Sequence, residues 1–401
     1  MKRVCQVVQV FVFSGAAVVL CSTPAFSQQI LNDGGAGVPV SIKLDKAAGT
    51  GPRQQAGSGS GIQLVGNSNP SGGVAYYTAN YTSFGRSYPF NIIGTNPSQG
   101  AGVTTIPTVI VPLRITFPGG AVLDGTNVMV SVASSPIFLA ADYTTGGTDI
   151  GVTQYGDAIQ RAEFWNLPGF SPAGYHVLLT APLFASTVSL TVPTSGCPAS
   201  VHNPTGACGT TYGNGAIGVV AGNWFDAQIN NLIHAYAPNV LPIFLTDNVF
   251  EASDGTAFTC CTLGYHNSEG PPAATAHTWI YAAYTEPNTF QSNDILDVQA
   301  LSHEVAEWMN DPFVGAFALG FINLIPPAVL PGQGGACIPN FEVADPLEAP
   351  PVVFTQVTNS TTYHLQDAAF LSWYMHSNFG VNGKYSYLGT FTTPSTLCGP
   401  G

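Results

Sequence analysis

Basic side chains are scarce in this chain of 401 residues, where Lys and Arg together number 9 against 22 Asp and Glu, for a formal net charge of −13. That balance argues against nucleic acid as a partner, because phosphate backbones are met by basic faces. No Lys or Arg occurs between Arg161 and Lys384, so any carboxylate buried in that interval needs a counter-charge of another kind. Charged residues of both signs make up only 8% of the chain. Long apolar runs are missing beyond the amino-terminal segment: stretches such as Val109-Ile110-Val111-Pro112-Leu113 are strand-length and broken by proline or glycine. No stable membrane insertion is expected once that segment is removed. Cys-x-x-Cys pairs are absent, which argues against a cysteine zinc site, and no internal repeat is visible.

What is present begins with an export signal. Lys2 and Arg3 precede an apolar stretch from about Val7 to Leu20, followed by Ala25-Phe26-Ser27, the order of a secretory signal peptide spanning residues 1–27. The stretch, interrupted by Gln9, is short of the roughly 20 apolar residues a membrane span needs. The expected location is therefore extracellular or periplasmic. Cys5 and Cys21 leave with the signal, and six of the 8 cysteines remain, an even number that predicts three disulfides in an exported chain. Cys197 and Cys208 bracket a Pro/Gly/Asn-rich loop and should pair. Adjacent Cys260 and Cys261 are expected to reach separately to Cys337 and Cys398, although spacing alone leaves that pairing open.

Residues 28–73 are rich in Gly, Ser, Asn and Gln and read as a flexible leader or pro-segment. Short apolar or alternating runs then recur between turn signals, among them Val74–Tyr77, Thr108–Ile115, Val128–Val132 and His176–Leu179. They predict a β-rich, sandwich-like domain over residues 74–215, with a short helix near Asp157–Trp165. From 216 to 401 strands such as 216–220, 241–245 and 278–284 mix with an amphipathic helix at Trp224–His234. The expected fold class is α+β.

The chemistry concentrates in a predicted helix from Asp294 to Asn310, closed by Asp311-Pro312 because the residue before proline is pushed out of the α region. Val298, Leu301, Val305, Trp308 and Met309 form an apolar stripe at three- and four-residue spacing. At about 100° per residue, His303 and Glu307 lie one turn apart on nearly the opposite side, close enough to share a metal ion. In a His-Glu-x-x-His helix two imidazoles bind zinc and the intervening Glu is the general base. Glu307 replaces the second imidazole here, and carboxylate oxygen is also a zinc ligand. The competing reading is a solvated face, but such a face intersperses Lys or Arg with its acids, and this helix has none. One zinc ion is expected, with Glu342 as a third ligand and Asp345 orienting His303, or those two roles exchanged. Calcium is the alternative cation for that acidic pair. Tyr265-His266 and Tyr363-His364 are candidate donors to a developing oxyanion, which makes His266 and His364 catalytic candidates beside Glu304.

At these residues the chain resembles zincin-type metallopeptidases, and more closely a group of exported bacterial and fungal proteins with a His-Glu-x-x-Glu helix ending in Asp-Pro. A Gly-Tyr-His segment precedes the helix in that group and a Glu-x-x-Asp segment follows it, matched by Gly264-Tyr265-His266, by His303 to Pro312 and by Glu342 to Asp345. The resemblance covers roughly residues 216–376. It implies a zincin-like mixed sheet over the active-site helix, with His303 and Glu307 as ligands, Glu304 as base, and a protein or peptide substrate. Glu307 departs from the peptidase pattern and puts proteolysis in question more than metal binding. A non-catalytic extracellular protein, stabilised by its metal and binding a surface glycan or protein, is the alternative expectation.

Overall fold

The computed structural model describes residues 61–68, 72–83, 86–198, 208–212, 215–252, 260–270, 272–290, 295–314, 328–338, 341–349 and 351–398. The expected signal peptide and most of the expected leader lie outside them. The last part of that leader is ordered, because Gly61–Ser68 is a strand paired antiparallel with Tyr76–Ser83, which pairs in turn with Arg86–Ile93. Its backbone groups are satisfied by the neighbouring strand, a partner that composition alone cannot reveal.

The frame of the molecule is a seven-stranded mixed sheet of β1 (Thr108–Thr116), β2 (Val122–Asp124), β3 (Leu183–Phe184), β4 (Val188–Thr191), β5 (Leu241–Asp247), β6 (Gly264–Glu269) and β7 (His277–Tyr284). Its main path runs β3-β1-β5-β7-β6, with β2 and β4 also paired to β1. The β1–β5 and β5–β7 pairs are parallel, whereas β6 lies antiparallel to β7. The fold is thus α+β, sheet-rich with few helices. The boundary expected near residue 215 falls inside this one sheet, so strands 108–116 and 183–191 do not belong to a separate sandwich. Short apolar runs signal strands but not their partners.

Three helices surround this frame: α1 (Tyr155–Glu163) packs against α3, α2 (Gly222–Leu232) sets Phe225 on Tyr281 of β7, and α3 (Gln299–Asn310) lies on β6 and β7. The central strands are apolar at nearly every position because both faces are covered. Ile243, Leu245, Ile280 and Ala282 join the core of α1 and α3, while Phe244, Trp279 and Tyr281 join the core of α2. Side chains alternate faces along each strand, so neighbouring residues serve different helices. The expected strand at Val128–Val132 is a short helix, Met129–Ala133, entered through a 3-10 turn that the Asp124 side chain caps at the Thr126 amide. Val132 is buried while Val130 is 60% exposed, although two residues apart they would share one face of a strand.

Cys197 pairs with Cys208. Cys337 pairs with Cys398, not with the adjacent cysteines, because Ala328 bridges Leu397 antiparallel and the hairpin 328–330/336–338 carries Cys337 to the same place. Cys261 is also disulfide-bonded. Among the described residues, no helix is long and apolar enough to cross a membrane.

Candidate metal centre

Helix α3 begins at Gln299, later than the sequence signals imply, because Asp297 takes a left-handed φ of 41° and forms an isolated antiparallel bridge with Thr285. The expected entry at Ser292-Asn293-Asp294 lies outside the described residues. Past that bridge the apolar stripe Val298, Leu301, Val305, Trp308 and Met309 packs into the core as the spacing predicts. The opposite side of the helix is buried as well: His303, Glu304 and Glu307 are all 0% exposed. It meets His266 of β6 and the segment Ala344-Asp345 rather than solvent.

On that side the structure gathers most of the residues singled out from sequence. His303 Nε2 lies 3.1 Å from Glu307 Oε2 and 3.6 Å from Asp345 Oδ1. His266 arrives from β6, with Nδ1 3.4 Å from Glu304 Oε2 and 3.9 Å from Glu307 Oε2, and with Nε2 3.9 Å from Glu342 Oε2. Three overlapping sets place one ligand atom per residue within 4.8 Å of one another: His303, Glu304 and Glu307; His266, Glu307 and Glu342; His303, Asp345 and Glu348. Glu348 was not singled out from sequence, although its three-residue spacing from Asp345 on a 3-10 turn is a signal that could have found it.

Backbone contacts fix the orientation of these side chains. Glu307 Oε1 accepts hydrogen bonds from the amides of Ala344 and Asp345, at 3.0 and 3.1 Å, leaving Oε2 turned toward the imidazoles. His266 Nε2 is 3.0 Å from the Asp311 carbonyl. A carbonyl only accepts, so Nε2 carries the proton and Nδ1 faces the carboxylates. Asp311 occupies the helix C-cap at φ −142°, ahead of Pro312, so the residues that end the helix also orient β6's histidine. Gln366 clamps the acidic segment to α3, its side chain donating to the Ala344 carbonyl and its amide to Ser302 Oγ.

The two aromatic-histidine pairs separate. Tyr265 points through the sheet to the α2 side, where burial and then the Asp226 and Glu251 charges raise its pKa well above the usual range. His364 is not in the constellation: its ring contacts Asp297 Oδ2 at 2.6 Å and its amide donates to Asp297 Oδ1, which ties strand Thr361–Gln366 to the entry of α3. Neither Tyr265 nor His364 belongs to the three sets gathered at α3.

The donor set suits a cation. Both ring nitrogens of His303 are buried and make no hydrogen bond, an arrangement costly for an imidazole unless a ligand meets its lone pair. The described Arg114, Arg161 and Lys384 side chains are held elsewhere, by Asp124, by Asp157 and at Thr145. Imidazole with carboxylate is compatible with zinc and with harder divalent ions. Comparison of the chain with family models, curated proteins and solved structures returned no match.

Proposed function

We propose that the chain is an exported zinc-dependent peptidase in which His303 and Glu307 hold the cation, Asp345 or Glu342 completes its ligands, and Glu304 is the general base. The reading rests on one observation, the buried His303 ring with no hydrogen bond at either nitrogen and a carboxylate oxygen 3.1 Å from Nε2 on the next helical turn. A mixed sheet covering the motif helix, which the zincin resemblance implies, supports it. The disulfides fit an oxidising compartment.

A bound zinc ion would polarise the scissile carbonyl and make a water nucleophile available near neutral pH. Glu304, about 100° round the helix from His303, takes the attacking water's proton at its carboxylate and returns it to the leaving amine. The two amides on Glu307 Oε1 keep the ligand oxygen in place, and Gln366 holds the acidic segment against α3. Glu304→Gln keeps the volume and removes the base, so zinc content and melting temperature should hold while protein digestion falls by on the order of 10²–10⁴. Equal digestion by wild type and mutant would sink this assignment.

One observation favours a second reading, in which the metal is structural: His303, Glu304, Glu307 and His266 are 0% exposed. On that reading neither wild type nor Glu304→Gln digests protein, and chelation lowers the melting temperature.

A further inference from the structure

We infer that the constellation is a two-cation site sharing Glu307, one cation held on the His303 side and the other on the His266 side. The inference rests on the metal-binding part of the function proposed above and is independent of peptide hydrolysis. Among the described residues, the two imidazoles fall in separate ligand sets, and no set of atoms within 4.8 Å of one another contains both. Ligands on a single zinc ion, at about 2.0–2.2 Å each, are at most about 4.4 Å apart even on opposite sides. As placed, the imidazoles suit two ions rather than one. Glu307 belongs to a set with each imidazole. Its Oε1 is pinned by two amides, and its Oε2 faces His303 Nε2 at 3.1 Å and His266 Nδ1 at 3.9 Å.

Two side chains point independently to a ligand. His303 is wholly buried, with neither ring nitrogen hydrogen-bonded. His266 gives its Nε2 proton to the Asp311 carbonyl, which turns the Nδ1 lone pair toward the oxygens of Glu304 and Glu307. An imidazole anchored by a backbone carbonyl on one nitrogen and facing anionic oxygens with the other has the usual arrangement of a metal ligand. Charge points the same way. Glu304, Glu307, Glu342, Asp345 and Glu348 are all at least nine-tenths buried, in a stretch of sequence without Lys or Arg. Any of these carboxylates that is ionised needs a positive partner there, because uncompensated buried charge is strongly disfavoured.

The competing account of His266 is a second ring proton at Nδ1, an ion pair with Glu304 in place of a cation. Metal analysis of the full mature chain, loaded with zinc(II) and dialysed, separates the two. The inference predicts two zinc ions per chain, one remaining in His266→Gln, one in His303→Gln, and fewer than one in Glu307→Gln. One ion in wild type, unchanged by His266→Gln, overturns it. Should a variant fail to fold, the wild-type ratio still decides, together with X-ray absorption on the zinc-loaded protein: a metal–metal vector of about 3.5–4 Å is expected, and its absence counts against the shared site. Digestion assays run alongside keep the two proposals apart. Two ions without proteolysis removes the peptidase and leaves this site standing, whereas proteolysis with one ion removes this site and leaves the peptidase.

Discussion

Glu163 sits on α1 with no exposed surface, and its carboxylate accepts the Leu371 amide. Burial raises its pKa from 4.5 to about 8, against the smaller opposing pull of that hydrogen bond. The folded protein therefore holds a proton here that the unfolded chain releases at lower pH. The resulting stability is fully present below about pH 4.5 and is lost as pH rises toward 8, at about 1.4 kcal/mol per unit of pKa difference. Glu163→Gln should flatten the fall of melting temperature between pH 5 and 8, and parallel profiles for mutant and wild type would refute this account. The one-turn spacing of His303 and Glu307, with no basic residue nearby in sequence, made those two, together with Glu342 and Asp345, legible as candidate metal ligands and Glu304 as a candidate base. It could not separate His266 from His364. Both follow a tyrosine, yet one ring enters the constellation and the other binds Asp297.

At the scale of elements, the centre depends on how closely β6 approaches α3. Gly264 opens β6, and a Cβ there would lie 2.8 Å from both Cγ and Oε1 of Glu304 and 3.1 Å from the Tyr281 carbonyl. Gly264→Ala must displace the Glu304 side chain or lift the strand, an overpacking that costs roughly 1–3 kcal/mol. On the peptidase proposed above, zinc should be retained while digestion per mole of bound metal falls at least tenfold; digestion at the wild-type rate in this variant would separate Glu304 from that chemistry. Helix α3 itself was legible from its stripe and its Asp-Pro end. Its true start was hidden by the Thr285–Asp297 bridge, a contact between distant segments. The solvated-face alternative for its polar side is corrected by burial: that side is covered by β6 at His266 and by the acidic segment.

For the whole molecule, the disulfides act at different ranges. Cys197–Cys208 spans 11 residues and Cys337–Cys398 spans 61. Loop-closure entropy assigns them about 3 and about 4 kcal/mol, and the longer closure also fixes the chain end against hairpin 328–330/336–338. Replacing Cys337 and Cys398 together by serine should lower unfolding free energy in urea more than the same change at Cys197 and Cys208. The reverse order would mean that strain or residual structure outweighs chain entropy in this molecule.

The sequence by itself determined the donor types, the helix that presents three of them on one side, the apolar runs at 108–115, 241–245 and 278–284 that form strands, and the local Cys197–Cys208 closure. Each depends on residues near one another in the chain, where periodicity and spacing are set by backbone geometry. Tertiary structure alone decided which distant segments meet. It drew strands from both sides of residue 215 into one sheet, paired Cys337 with Cys398, ordered 61–68 against 76–83, and brought His266, Glu342, Asp345 and Glu348 around α3. Long-range pairing is selected by the summed burial of whole faces and by the satisfaction of backbone groups across the sheet, quantities that no local window of sequence contains.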